Sequence, residues 1–191
     1  FVIFATRNGK VKKTGLHAFR NFRKTGIIAI NLDEGNELID VRLTNGSNEV
    51  MLVTRNGRCL RFSETQVRTS GRQAAGVIGI RPVGNDMLIG LALVSEHSTL
   101  LVASENGLGK RTAFDEYMSK NRSGMGVITM KVTEKTGKVV GAVAVEDDDE
   151  LMLMTNGGQS IRIRCSEVRE TGRNAQGVKL VTLRGDEKLQ D

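Results

Sequence analysis

Four basic residues stand at the same distance from a glycine, and their spacing suggests a specific chemistry. The fourth residues after Gly9, Gly57, Gly107 and Gly158 are Lys13, Arg61, Arg111 and Arg162. Lys and Arg donate charge-assisted hydrogen bonds to phosphate oxygens, and Arg does so with a planar fork of N–H groups. Further basic residues lie close to these positions: Lys10, Lys12, Arg58, Lys110 and Arg164. Cations repeated in this way predict a positive track that binds a polyanion.

A second basic cluster precedes a second glycine series. The glycines are Gly26, Gly76, Gly126 and Gly177, and the basic residues before them are Arg23, Lys24, Arg72, Arg122 and Arg173. Gly, Ser, Thr and Asn surround these cations, so backbone N–H groups in the loops are free to meet phosphate oxygens. The alternative interpretation of these basic residues is a solvated face that prevents edge-to-edge aggregation. Recurrence of both clusters favours contacts with a polyanion for the whole set over that interpretation.

The elements that must position these residues form an internal repeat. The first glycine series is spaced by 48, 50 and 51 residues and the second by 50, 50 and 51, which divides the chain into approximate copies one to four at 1–48, 49–98, 99–149 and 150–191. In copy two, apolar runs predict strands at 49–54, 58–62, 76–80 and 87–94, with a type I′ turn at Asn56-Gly57.

Four strands per repeat, with no amphipathic helix, predict an all-β, propeller-like fold of about four blades, each with four antiparallel strands. Stacking the blades buries both faces of each sheet, which a single sheet cannot do alone. We expect one domain over 1–191 that forms an open or incomplete ring. The chief rival fold is a pair of β-sandwiches, which does not require the regular period.

Composition excludes several other classes. The formal net charge is +6, and no apolar run approaches the roughly 20 residues needed to span a bilayer. The two cysteines lack metal-ligand spacing and fit a reducing cytosol, so we expect neither a disulfide framework nor a metal site. The chain begins with the apolar run Phe1-Val2-Ile3-Phe4. This start predicts a piece of a longer chain.

No residue set predicts catalysis. The acidic run Asp147-Asp148-Asp149-Glu150 occupies a predicted turn between strands, and the single tyrosine, Tyr117, has no recurring base or metal group near it. Aromatic residues are scarce, at 4% of the chain, which argues against stacking on single-stranded bases. Nothing resembles a recognition helix. The remaining interpretation is duplex DNA bound through its phosphates.

The chain also resembles a known family. The segment Gly26-Ile27-Ile28-Ala29-Ile30-Asn31-Leu32-Asp33-Glu34-Gly35, hairpins such as Met51-Leu52-Val53-Thr54-Arg55-Asn56-Gly57, and the Gly-Arg loops at Gly71 and Gly172 are similar to the C-terminal domain of the bacterial DNA gyrase A subunit. The corresponding C-terminal domain of topoisomerase IV is similar but more divergent, and a protein-binding propeller scaffold is the remaining alternative. The resemblance implies a β-pinwheel, whose blades exchange strands with their neighbours.

The resemblance also implies a function. Such a domain wraps DNA around its basic rim and supports ATP-dependent negative supercoiling, while ATP, Mg²⁺ and the catalytic tyrosine act elsewhere in the enzyme. The implied partners are duplex DNA and the other parts of the gyrase A and B subunits in a cytoplasmic, nucleoid-associated heterotetramer. Two departures qualify this expectation. The family's Gln-Arg-Arg-Gly-Gly-Lys-Gly box has only a weak echo at Asn121-Arg122-Ser123-Gly124-Met125-Gly126, and the family's disc has more blades than this chain has copies.

Overall fold

The computed structural model describes residues 1–190, which form β-strands and short 3₁₀ helices. Copies one and two contain β1 (Val2–Thr6), β2 (Lys10–Thr14), β3 (Leu38–Leu43), β4 (Glu49–Thr54), β5 (Arg58–Ser63), β6 (Val77–Ile78) and β7 (Leu88–Leu93). Copies three and four contain β8 (Thr99–Ser104), β9 (Leu108–Ala113), β10 (Val127–Ile128), β11 (Val139–Val145), β12 (Glu150–Met154), β13 (Ser160–Arg164) and β14 (Val178–Lys179). Among these residues, no helix is long and apolar enough to cross a membrane.

One 3₁₀ helix follows the second strand of each copy. The four helices are Leu16–Phe19, Glu64–Gln66, Phe114–Glu116 and Cys165–Glu167. A short helical turn at this place therefore recurs in every copy.

The hairpin of each copy turns at its Asn-Gly or Gly-Gly pair, but not in the predicted conformation. The backbone N–H of Gly57 donates to the carbonyl of Thr54 at 3.0 Å, so the glycine is the fourth residue of the turn. Gly57 has φ +80, whereas the preceding Asn56 does not have a positive φ. A type I turn followed by a left-handed glycine has this pattern, so the predicted type I′ turn was wrong.

Neighbouring copies exchange strands. The three four-stranded sheets have the orders β3-β1-β2-β6, β10-β5-β4-β7 and β11-β8-β9-β14. In each sheet the shortest strand, β6, β10 or β14, comes from the following copy. The third strand predicted in each copy therefore pairs with the preceding copy rather than with its own. In copy one the equivalent residues 26–30 form no strand, because the described chain holds no preceding copy to pair with them.

The apolar core lies between adjacent sheets. Ile3 and Ala5 of copy one pack with Leu52 and Ile80 of copy two, while Met51 faces copy three on the other side of its sheet. Alternate residues of a central strand are therefore both buried, as expected of a sheet covered on both faces. All-β stacking of the predicted kind is confirmed, although the fourth sheet has only the two strands β12 and β13.

The sheets are arranged around a common opening. A cavity of about 540 Å³ is lined by residues of all four copies, among them Arg7, Arg55, Glu105 and Gln190. Each junction near it is closed by a backbone hydrogen bond between copies, for example from the Leu88 N–H to the Arg7 carbonyl at 2.8 Å. Within residues 1–190, no strand of copy four pairs with copy one, so the described residues form an arc of sheets.

Candidate nucleic-acid interface

The cation four residues after each hairpin glycine joins one copy to the next. Arg61 Nη1 donates to the Phe114 carbonyl at 2.9 Å, and Arg111 Nε donates to the Val168 carbonyl at 2.8 Å. Lys13 Nζ donates to the carbonyl of Glu64 at 3.1 Å. Each acceptor belongs to the 3₁₀ helix of the following copy or to the residue after it.

Burial removes most of this series from the predicted DNA surface. Lys13 and Arg111 are each 6% exposed, and Arg61 is half-buried. Only Arg162, in copy four, is exposed, with 69% of its side chain accessible and a single ion pair to Glu150 at 3.5 Å. The prediction that these phased cations contact phosphate is corrected for Lys13 and Arg111, because their polar groups are used between copies. Arg61 also links two copies, and Glu49 neutralises it at 3.1 Å.

Two further lysines of the predicted set are buried. Lys12 is 1% exposed, and its ammonium donates to the carbonyls of Ala29 and Arg72. Lys110 is 0% exposed and donates to the carbonyl of Arg173 in the equivalent loop. Burial lowers the pKa of both ammonium groups to about 8, and the neighbouring Arg72 charge adds to the effect at Lys12. These lysines hold loops of the next copy, so the prediction of phosphate contact is corrected for both.

The arginines of the second cluster are positioned by the fold but keep free donors. Each donates Nη1 to an isoleucine carbonyl of the preceding copy: Arg72 to Ile28 at 2.7 Å, Arg122 to Ile78 at 2.9 Å and Arg173 to Ile128 at 2.7 Å. All three side chains remain partly exposed. A guanidinium has five N–H donors, so the single internal hydrogen bond of Arg72 or Arg173 and the three of Arg122 leave other donors to meet an anion.

The remaining predicted residues divide into two groups. Lys10 pairs with Asp33, and Arg58 Nη1 donates to the Gly126 carbonyl at 2.9 Å, so both are partly engaged inside the chain. Arg23, Lys24 and Arg164 are exposed and make no side-chain hydrogen bond or ion pair with the described residues. Those three cations are the most accessible of the predicted set, together with Arg162.

One series of exposed residues was not predicted from the sequence. The residue eleven positions after each hairpin glycine is Arg20, Arg68, Met118 or Arg169, and all four are exposed. None of the three arginines makes a side-chain hydrogen bond within the described part of the chain. Lys13 and Arg61 were identified by their fixed distance in sequence from the hairpin glycine. The same criterion, applied eleven residues after the glycine, would have identified this series.

These arginines begin four segments that we call the bridging loops, residues 20–26, 68–76, 118–126 and 169–177. Each of the last three runs from the end of a 3₁₀ helix to a strand that pairs with the preceding sheet. Together the loops hold nine of the 28 Lys and Arg residues and one of the 22 acidic residues, Glu170. The other parts of the chain hold 19 basic and 21 acidic residues, so the whole positive excess lies in the bridging loops.

One aromatic side chain does lie among the loop cations. Phe22, between Arg20 and Arg23, is 78% exposed. It has no aromatic counterpart in the other bridging loops, whose residues at this point are Ser70, Lys120 and Thr171. A single exposed ring does not form a stacking platform for successive bases, so the expectation of a duplex ligand is unchanged.

The residues considered for catalysis have structural surroundings. Tyr117 is 2% exposed, its hydroxyl lies 2.6 Å from the Thr129 hydroxyl, and burial raises its pKa to about 12. In the acidic run, Asp147 pairs with Arg111 and Glu150 with Arg162. Residues 1–190 hold no cluster of three His, Cys, Asp or Glu that could bind a metal ion. Tyr117 is therefore a core residue of copy three.

Comparisons with known proteins agree with this architecture. The family described as "DNA gyrase C-terminal domain, beta-propeller" matches residues 1–45, 48–95, 98–146 and 149–191. The DNA gyrase A subunit of Salmonella typhimurium is 48% identical over 98% of this chain, and that of Deinococcus deserti is 51% identical over 95%. The chain spans about a fifth of the length of these relatives, 21% and 23% respectively.

Two solved structures share the fold. A structure of the DNA gyrase A C-terminal domain superposes with a TM-score of 0.89 at 27% identity, covering 100% of this chain and 64% of the other. The C-terminal domain of DNA topoisomerase IV gives a TM-score of 0.89 at 31% identity, covering 95% and 57%. With the matched repeats and the whole-chain identity to gyrase A subunits, these likenesses show that the chain belongs to the DNA gyrase C-terminal domain family of β-propellers.

Proposed function

We propose that this chain binds duplex DNA through its four bridging loops and bends the duplex around the outside of the stacked sheets. The observation that carries the proposal is the separation of charge, because the loops hold the entire positive excess of the chain. A polyanion is attracted to the surface where cations outnumber acids, whatever the net charge elsewhere.

The geometry supports contact with several phosphates at once. The loops belong to successive sheets arranged around one opening, so a duplex that meets one loop is led toward the next. Arg72 and Arg173 are fixed by carbonyls at 2.7 Å, which lowers the entropy lost when they bind an anion. No base-reading element is needed, since such a surface responds to the shape and flexibility of the duplex.

In its larger context, we propose that the chain is the non-catalytic, DNA-wrapping part of a gyrase A subunit. Its relatives at 48% and 51% identity are DNA gyrase A subunits, which favours gyrase over topoisomerase IV. Wrapped DNA would be presented to the remaining parts of the gyrase A and B subunits in the bacterial cytoplasm, for supercoiling driven by ATP. No residue described here takes part in that chemistry, and the chain's own contribution is to bind and bend.

The first experiment measures the affinity for a short duplex by fluorescence anisotropy over a series of salt concentrations. Each phosphate neutralised contributes about −0.9 to the slope of log K against log salt. We expect a steep negative slope and an affinity that varies little with sequence. A flat salt response, or no binding at low salt, would refute the proposal.

A matched pair of triple variants tests the loops themselves. Replacing Arg20, Arg68 and Arg169 with Ala removes three loop cations, while replacing Arg55, Lys135 and Arg184 removes three exposed cations outside the loops. Both variants change the net charge equally. If all three loop arginines meet phosphates, only the first variant reduces the salt slope, by up to about 2.7. Equal losses in the two variants would mean that net charge, not the loops, attracts DNA.

Bending is tested separately from binding. A nicked circular plasmid is incubated with the chain, sealed with ligase and freed of protein, and its linking number is compared with that of the protein-free control. We expect a shift that grows with protein concentration and disappears in the loop triple variant. Binding without any shift would leave DNA binding intact but would contradict wrapping.

The alternative of a protein-binding scaffold predicts that loop cations serve only solubility. Charge reversal at Arg61 and Arg111 is a poor test of it, because both side chains join adjacent copies. The exposed loop arginines give the cleaner comparison. Under the scaffold alternative, the loop triple variant would lose no more DNA affinity than its control.

A further inference from the structure

Two different devices hold the bridging loops against the preceding sheet. In loops two and four, numbered after their copies, a buried lysine of the preceding copy holds the backbone. Lys12 Nζ donates to the Arg72 carbonyl at 2.5 Å, and Lys110 Nζ donates to the Gly172 carbonyl at 3.1 Å. Each lysine also donates to one more carbonyl of its loop. Hydrogen bonds from a charged donor are stronger than neutral ones, so both loops are firmly anchored.

Loop three is anchored by a glutamine instead. The residue of copy two that is equivalent to the two lysines is Leu60, whose side chain has no donor. Gln66 Nε2 donates to the Lys120 carbonyl at 3.1 Å, and Gln66 Oε1 accepts from the Arg122 N–H at 2.9 Å. The Gln66 carbonyl accepts from Arg122 Nε at 3.0 Å. One glutamine therefore holds loop three at three points.

Gln66 has no counterpart in the other copies. It ends the 3₁₀ helix Glu64–Gln66, and the equivalent residues are Ala18, Glu116 and Glu167. Alanine has no polar side-chain group, and an ionised carboxylate cannot donate to a carbonyl. Copies one and three thus have the lysine without the glutamine, and copy two has the glutamine without the lysine. What these copies share is an anchored loop rather than one residue type.

Loop three is also fixed in a strained conformation. Ser123 has φ +73 and is the one non-glycine residue with a positive φ in the described part of the chain. Its N–H donates to the Gly79 carbonyl at 2.6 Å, and its carbonyl accepts from Arg81 Nε at 3.1 Å. The Arg81 N–H donates to the Gly124 carbonyl at 2.8 Å. A strained residue persists only where its surroundings determine its position, and such residues are concentrated at functional sites.

The anchoring residues act on the loops without reaching the surface. Lys12 and Lys110 are at most 1% exposed, and both ends of the Gln66 amide are occupied by loop backbone. The loop backbone that they hold carries the partly exposed arginines Arg72, Arg122 and Arg173. A side chain that is ordered beforehand loses less conformational entropy on meeting an anion than a mobile one does.

We propose that Lys12, Gln66 and Lys110 are positioning residues for DNA binding. Each holds the loop of the next copy in the place where its arginine meets a phosphate, and none of the three touches DNA. This role depends on the proposed function, in which the bridging loops bind duplex DNA. The lysines and the glutamine serve the same end, so the loss of one weakens binding at its own loop and leaves the other loops unchanged.

A positioning residue and a contact residue differ in how their loss changes the salt dependence of binding. Loss of a phosphate contact lowers the salt slope by about 0.9, because one phosphate fewer is neutralised. Loss of a positioning residue leaves the same phosphates to be neutralised, so the affinity falls while the slope stays the same. A residue that serves only the stability of the fold changes neither value in the folded chain.

The test replaces Gln66 with Met, which has a similar length, no charge and no hydrogen-bond donor. Duplex affinity is measured over the salt series, with urea unfolding measured alongside. We expect Gln66→Met to bind about three- to tenfold more weakly at every salt concentration with an unchanged slope, since a loop side chain must now be ordered on binding. Arg122→Ala, which removes the contact itself, should also lower the slope by about 0.9. Hydrogen exchange of the Arg122 amide should become faster in Gln66→Met, because its acceptor is lost.

Two further variants complete the test. Gln159→Met is the matched control, because Gln159 is a half-buried glutamine outside the loops whose side chain makes no hydrogen bond with the described residues. It should leave affinity and slope unchanged. Lys110→Met tests loop four independently, and its loss of affinity should multiply with that of Gln66→Met, because the two loops are held separately.

The outcomes separate this role from the proposed function. If the unmodified chain fails to bind a duplex at low salt, the proposed function fails and the positioning role with it. If the unmodified chain binds with a steep salt slope but Gln66→Met and Lys110→Met bind equally well, only the positioning role is refuted. A slope that falls in Gln66→Met as much as in Arg122→Ala would also overturn it.

Discussion

Arg111 and Arg162 occupy the same position in two copies, and replacing each with Ala separates a structural role from a surface role. Arg111 is 6% exposed and donates to the Val168 carbonyl at 2.8 Å. Loss of this charged donor leaves a carbonyl unsatisfied, which costs about 1.5–3 kcal/mol, and loss of the buried stem adds to the cost. Its second partner, Asp147, is 78% exposed, so that ion pair adds little. We expect Arg111→Ala to destabilise the fold by about 2–4 kcal/mol.

Arg162→Ala is the internal control for this value. Its side chain is 69% exposed and its only ion pair is long, so we expect a change within about 0.5 kcal/mol. The assay is urea unfolding followed by circular dichroism, with duplex affinity measured in parallel well below the transition. Folded Arg111→Ala should keep its affinity for DNA, because the guanidinium does not reach the surface. Equal destabilisation by both substitutions, or lost affinity with unchanged stability in Arg111→Ala, would refute the reasoning.

Three further predictions follow from burial and backbone geometry. Lys12 and Lys110 have folded-state pKa values of about 8, below the ordinary 10.5, so between these values the unfolded chain binds more protons than the folded chain. The free energy of unfolding, measured from pH 8 to 10, should therefore rise relative to that of a variant with Met at both positions. Gly57→Ala should destabilise the fold more than Gly158→Ala in urea titrations, because both strain a positive φ but only the first places a Cβ 1.9 Å from a carbonyl oxygen. Cys59 is fully buried and burial raises its pKa to about 12, so a thiol reagent at pH 8 should label it only after unfolding; rapid labelling of the native chain would contradict this packing.

Much of the fold could be predicted because its signals are local. An Asn-Gly pair after an apolar run is typical of a hairpin, and the positive φ values of Gly9, Gly57 and Gly107 confirm the turn positions. The pair Asn45-Gly46 is an exception, because it joins β3 and β4 of different sheets. The period of the glycines then indicated the number of copies. The turn type was predicted wrongly, because a type I turn with a following left-handed glycine uses the same residues as a type I′ turn.

The partner of each short strand could not be obtained from the repeat alone. Residues 76–80 read as a strand of copy two, yet β6 pairs with β2 of copy one. A two-residue strand has too little pattern to specify its neighbour, and only the structure shows that Gly76 packs against the Val11 carbonyl, where a Cβ would lie 2.5 Å from the oxygen. Strand exchange was expected only through the family resemblance.

The repeat, the all-β fold and the excess of positive charge are properties of the residue order alone. Which cations are available to DNA depends on tertiary packing. Lys110 and Lys24 are the same residue type, but Lys110 lies under a loop of the next copy whereas Lys24 is exposed. The type of a side chain and its position in the repeat indicate what the residue can bind, whereas its exposure depends on which other copy packs against it. For the same reason, Arg111 and Arg162 share one place in the repeat and differ in environment: copy four covers the first, and nothing in the described chain covers the second.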